Sequence, residues 1–78
     1  MNKVTYLAGL LRAYEGEIGG EAYFAALADL FTDPGHQKKL MLLAAVEQTT
    51  WKVLKPLIEQ HGIQQRDRNT VINEGVAW

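Results

Sequence analysis

Apolar residues recur at steps of three and four along two long stretches of the chain, and that period marks an amphipathic α-helix. In the first stretch the series is Leu7, Leu10, Tyr14, Phe24, Ala28 and Phe31, with Asn2 ahead of it as a favourable N-cap. A helix is therefore predicted from about Lys3 to Phe31. Glu17 and Glu21 fall in the same series, so two carboxylates share the face that carries the apolar residues. The period breaks at Thr32-Asp33-Pro34-Gly35, where Asp33 can cap a second helix and Pro34 suits its first position, because the N–H there has no helical partner to lose.

The second stretch, from about Pro34 to His61, repeats the pattern through Leu40, Leu43, Glu47, Thr50, Leu54, Leu57 and His61, with Gly62 as its terminator. Pro56 interrupts it. A proline there removes the N–H that would bond the Lys52 carbonyl, which predicts a kink near Leu54 or a restart of the helix. Beyond Gly62, Asp67 can cap a short third helix with Val71, Ile72 and Trp78 on its apolar side. The predicted organisation is a helical hairpin over 1–62 and a C-terminal segment over 63–78.

Composition limits what such a chain can do. With 78 residues it is one domain at most, and a domain of that size buries only about 60% of the surface its unfolded chain exposes. Cysteine is absent, which excludes a disulfide framework and thiolate zinc sites as sources of stability. Oligomerisation or further chain is the expected source instead. The formal charge of -1 gives no electrostatic footprint for nucleic acid or an anionic membrane. The apolar run from Val4 to Leu11 is too short to span a bilayer, so a cytoplasmic protein is expected. Charge is divided between the helices: residues 1–33 hold two basic and five acidic side chains, net -3, whereas 34–61 hold four lysines and two glutamates, net +2. Helix pairing, within or between chains, is favoured by that division, at about 0 to 1 kcal/mol per exposed pair.

Folding two helices antiparallel about Asp33-Pro34 sets residues whose numbers sum to about 65 to 68 at one height. Glu21 then lies level with residues 44–47 and Glu17 with residues 48–51, so Glu17, Glu21 and Glu47 project from the seam within a turn of one another. Carboxylates gathered in an apolar seam repel unless a cation, a proton or a basic partner sits among them. A second reading stands beside this one. Glutamate is a strong helix former, and seam borders are often solvated, so these residues also suit ordinary flanking positions with Glu47 paired to a lysine.

The segments EGEIGGEAYFAALADLF and AAVEQTTWKVLKPLIEQHG, within residues 14–62, resemble the first helix pair of ferritin-like proteins, including rubrerythrins and aldehyde-deformylating oxygenases. In that superfamily each half of a four-helix bundle supplies a Glu from one helix and a Glu-x-x-His from the next, around two iron or manganese ions. The resemblance implies Glu17 as the first-helix ligand, with Glu21 one turn away as a second candidate, and Glu47 as the Glu of the second motif. The matching histidine position is Thr50, whose hydroxyl is a much poorer iron ligand than imidazole. His36 and His61 lie roughly 16 and 21 Å along a helix from Glu47 and do not replace it.

Other features point to packing. Gly9, Ala13, Gly16 and Gly20 form a stripe of small residues that permits close helix approach, or else allows local distortion near Gly19-Gly20. Tyr14, Tyr23, Phe24 and Trp51 follow the helix period as core or interface anchors, while His36 and His61 suit capping or surface positions and Lys38-Lys39 a solvated face. The chain has no phosphate loop, nucleophile motif or zinc spacing. The expectation is an all-α hairpin with a short C-terminal segment. It completes a ferritin-like four-helix bundle as a homodimer, or with chain beyond the apolar end Gly75-Val76-Ala77-Trp78. Two functions remain open at this stage: a bundle with an incomplete or modified carboxylate site for iron or manganese, and a structural oligomerisation module without metal.

Overall fold

The computed structural model describes residues 2–77 and is all-helical: α1 spans Lys3–Ala28, α2 Pro34–Gln60 and α3 Arg68–Val76. The α1–α2 pair is the expected hairpin, and α3 folds back onto α1, giving a body of 46 × 20 × 20 Å.

The helix ends follow local chemistry. The Asn2 side chain accepts a hydrogen bond from the Thr5 N–H at 2.8 Å and starts α1. That helix stops at Ala28, three residues before the predicted end. The N–H groups of Leu30 and Phe31 turn to the carbonyls three residues back, Leu27 and Ala28, a tightened last turn that consumes carbonyls the helix would leave open. Pro34 disfavours helical backbone in the residue before it, and Asp33 is accordingly extended, with its side chain accepting from the Gly35 N–H at 2.9 Å.

At the far end of α2, Gly62 takes φ +62°, the left-handed conformation that a side chain disfavours. Its N–H donates to the Glu59 carbonyl and that of Ile63 to the Ile58 carbonyl, both at 3.1 Å. This is a Schellman closure, and it brings Ile63 onto the core that Ile58 anchors. Pro56 causes no restart: α2 runs continuously through it. Pro56 and Lys52 are both exposed, so the carbonyl that loses its donor faces water, while Trp51 and Ile58 are held in the core on either side.

Asp67 caps α3 as expected, accepting from the Thr70 N–H at 3.1 Å. Val71 enters the core and Ile72 packs at its edge, while Trp78 lies outside the described residues. The buried cluster of Tyr14, Ile18, Trp51, Ile58 and Val71 draws on all three helices, and Tyr14 meets Trp51 edge to face with ring centroids 6.4 Å apart. Tyr23 and Phe24 are half-buried and pack on each other.

The small-residue stripe is used differently from its prediction. Gly9 and Gly16 have open space where a Cβ would stand, and Ala13 is exposed. Close approaches occur at Gly20, against the Glu47 side chain, and at Gly19, against Gly75 of α3. The helix is regular through Gly19-Gly20, so the pair serves packing and leaves the helix undistorted.

Candidate functional site

Each predicted seam carboxylate meets a different environment. Glu21 is half-buried and accepts two hydrogen bonds from α2, one per oxygen: Trp51 Nε1–H to Oε1 at 2.7 Å and Gln48 Nε2–H to Oε2 at 3.0 Å. Charge-assisted bonds of this kind are about twice as strong as neutral ones, and they fix the side chain. Glu47 lies against the Gly20 backbone, close enough that a Cβ there would stand 3.1 Å from its Oε1. Glu17 is half-buried and has no hydrogen bond or ion pair among the described residues. Thr50, at the position of the expected histidine, donates its hydroxyl to the Val46 carbonyl of its own helix at 3.0 Å.

These residues divide between two sides of the hairpin. Glu21 lines a shallow cavity of about 210 Å³ with Ile18, Ala22, Arg68 and Ile72, on the side that α3 covers. At about 100° per residue, Glu47, Leu54, Leu43, Thr50, Leu57, Val46, Val53 and Leu42 fan outward from the seam on the opposite side of α2. Glu17 and Gly20 occupy the matching flank of α1. Among the described residues, no three or more His, Cys, Asp or Glu side chains are gathered where they could hold a metal ion. Within one chain, then, the three glutamates do not converge, and Glu21 is committed to Trp51 and Gln48. His36 sits 3.5 Å from Asp33 at the start of α2, and His61 packs edge to face on Tyr6, so both act locally at helix ends.

The uncovered side of α2 is apolar. Leu42 is 59% exposed, Val46 62% and Val53 67%, with Leu43 and Leu57 partly exposed beside them. Thr49 and Thr50 interrupt the series by residue type only. Their hydroxyls bond back to the Ala45 and Val46 carbonyls at 3.0 Å, which satisfies them within the helix. Lys39 lies within the same sector of α2, and Glu17 lies on the facing flank of α1, at about the level of residues 48–51.

Two groups of interactions had no local signal in the sequence. Arg66 reaches from the loop before α3 to Glu15 on α1 and Glu74 on α3, with Nη2 2.8 Å from an oxygen of each. These bonds, first to Glu74 and then to Glu15, raise the Arg66 pKa, and the Arg66 bond lowers the Glu74 carboxyl below its usual range. Arg68 lays its guanidinium over the Trp51 ring, 4.4 Å from the centroid. Beside it, burial pushes the Tyr14 phenol up; Arg68 opposes that shift, and Glu59 and Glu15 add to it. Arg66 and Glu15 are 51 positions apart, and their pairing depends on how the loop lands on α1.

Comparison with family models, with curated proteins and with solved structures finds no match for the chain.

Proposed function

We propose that the chain is a helical assembly module that pairs with a second copy across the uncovered side of its hairpin, completing a four-helix bundle. The observation that carries this reading is the outer stripe of α2, with Leu42, Val46 and Val53 each more than half exposed. Apolar surface of this continuity on a small protein marks a place of contact. Five aliphatic side chains from each copy, with the threonine methyls and the Lys39 stem among them, offer area on the order of the 800 Å² per partner that a stable interface buries. Charge supports the same occupant. A two-fold axis sets the net basic α2 of one copy beside the net acidic α1 of the other, and Glu17, which has no hydrogen bond or ion pair among the described residues, can meet Lys39 of the second copy.

Sedimentation equilibrium of the full chain tests this. The expected result is a dimer at micromolar concentration that Val46→Glu converts to a folded monomer. A wild-type chain that stays monomeric, or a dimer indifferent to both Val46→Glu and Val53→Glu, would remove the proposal.

A second reading keeps the carboxylates: a modified ferritin-like metal site for iron or manganese, formed only in the pair. It is supported by Glu17 and Glu47 standing on the uncovered side, where a second copy doubles their number. Stoichiometric iron or manganese in protein purified without chelator, lost on Glu47→Ala, would favour it. Metal content unaffected by that change would count against it.

A further inference from the structure

On the opposite side from the apolar stripe, where α3 begins, a cavity of about 170 Å³ opens between the three helices. Tyr14 forms part of its wall and is only 2% exposed, yet its hydroxyl makes no hydrogen bond among the described residues. No buried side-chain polar atom is left unsatisfied among them. The phenol oxygen therefore keeps contact with open space, and the cavity it lines is where that space lies. Lys55 and Arg68 line the same cavity. Neither is hydrogen-bonded to a carboxylate or ion-paired among the described residues; Arg68 has its Cζ 4.4 Å from the Trp51 ring centroid, a contact that uses none of its N–H donors.

The acidic groups nearby are accounted for differently. Both oxygens of Glu15 are held by Arg66, whose remaining donors go to Glu74. Glu59 acts on Tyr14 only through its field. Glu15, Gln65 and Arg66 line the cavity as well; with the Glu15 carboxylate held by Arg66, the donor groups on its wall left without an acceptor are the Tyr14 phenol, the Lys55 ammonium and the Arg68 guanidinium.

We propose that this cavity is a binding site for a small solute carrying an oxyanion group, a carboxylate or a phosphate, held by the Tyr14 hydroxyl, Lys55 and Arg68. Its volume is below that of a drug-sized pocket, roughly 300 Å³ and above, which restricts the occupant to a few heavy atoms beyond the anionic group. The three residues line the cavity from three elements: Tyr14 from α1, Lys55 from α2 and Arg68 from the first turn of α3. Occupancy therefore ties α3 to the hairpin.

The test titrates the full chain with sodium phosphate and, separately, sodium acetate at constant ionic strength, balanced with chloride and followed by amide and indole NMR shifts. The expected result is saturable movement of the Trp51 indole N–H and of the amides from Gln65 to Thr70. Lys55→Gln and Arg68→Gln should each weaken it about tenfold. Tyr14→Phe should weaken it severalfold with the remaining spectrum unchanged. Saturation by both salts assigns the site to carboxylates as well as phosphates, and saturation by phosphate alone assigns it to phosphorylated solutes. Shifts that grow linearly, or that are the same in the Lys55→Gln/Arg68→Gln double variant as in the wild type, would overturn it.

Discussion

Trp51 donates its indole N–H to Glu21 at 2.7 Å across the seam between α1 and α2, and Gln48 holds the second oxygen of the same carboxylate at 3.0 Å. One side chain on α1 thus satisfies two donors from successive turns of α2, and the register of the hairpin is fixed by a polar contact as well as by the apolar core. The contact also fixes the indole that Tyr14 meets edge to face, with the two rings at 83°.

Replacing Glu21 separates this structural role from any other. Glu21→Ala leaves the Trp51 N–H without an acceptor in a part-buried seam, at a cost of about 1–3 kcal/mol. Glu21→Gln keeps an acceptor for the indole and should cost about 1 kcal/mol. Urea unfolding followed by circular dichroism reads both. Equal midpoints for the two variants would show that the hydrogen bond contributes nothing.

The glycines divide by what surrounds them. A Cβ on Gly75 would stand 2.3 Å from the Gly19 carbonyl oxygen, a backbone atom that cannot rotate away. Gly75→Ala should therefore push α3 off α1, with an overpacking cost of about 1–3 kcal/mol. Gly9 and Gly16 have free space, so alanine there removes a helix-interior penalty of about 1 kcal/mol and should stabilise by that amount. Gly20→Ala meets only the far end of the Glu47 side chain and should be close to neutral. Amide exchange across α3, together with thermal midpoints, distinguishes the three classes.

How much of this was legible depends on whether the signal was local. The caps at Asn2, Asp33 and Asp67 and the terminator Gly62 each sit beside the helix they bound, and all four act where the chain places them. Two misreadings lie at places where tertiary context decides. The restart allowed for at Pro56 does not occur: α2 is continuous, with Lys52 exposed and Trp51 and Ile58 in the core on either side. The end of α1 comes three residues early because Leu30 and Phe31 bond back into the last turn. For the candidate site, the antiparallel register correctly put Glu21 and Glu47 near the seam, but helix height does not say to which side a glutamate turns. That choice rests on α3, whose Arg66 clamp and Gly19–Gly75 contact are separated by more than fifty residues from their α1 partners.

Acid should loosen α3 before it affects the hairpin. The Glu74 carboxyl is held below its usual range by Arg66, so it binds fewer protons folded than unfolded. A depressed carboxyl contributes its stabilisation above the unfolded value of about 4.5 and loses it as pH falls through the lower folded value. Both Arg66 and Glu74 are solvent-exposed, so the contribution is modest and screened by salt. Amide exchange measured between pH 6 and pH 3 should show protection of residues 68–76 falling earlier than that of α1 and α2. Glu74→Gln should remove the difference. Simultaneous loss across all three helices would contradict it.

Pro56 offers the opposite experiment, a change that should strengthen the fold. Because α2 continues through Pro56, an alanine there meets a helical backbone already in place and supplies the missing donor to the Lys52 carbonyl. Proline in a helix interior is about 3 kcal/mol less favourable than alanine. Against this, alanine frees the unfolded chain and returns roughly 0.4–1 kcal/mol of entropy to it. The net expectation for Pro56→Ala is stabilisation of about 2 kcal/mol, or on the order of 10 °C in Tm for a domain of this size. Pro56 is exposed, so no packed side chain is lost in the exchange. If the measured Tm instead falls, the proline must be contributing to how Ile58 enters the core.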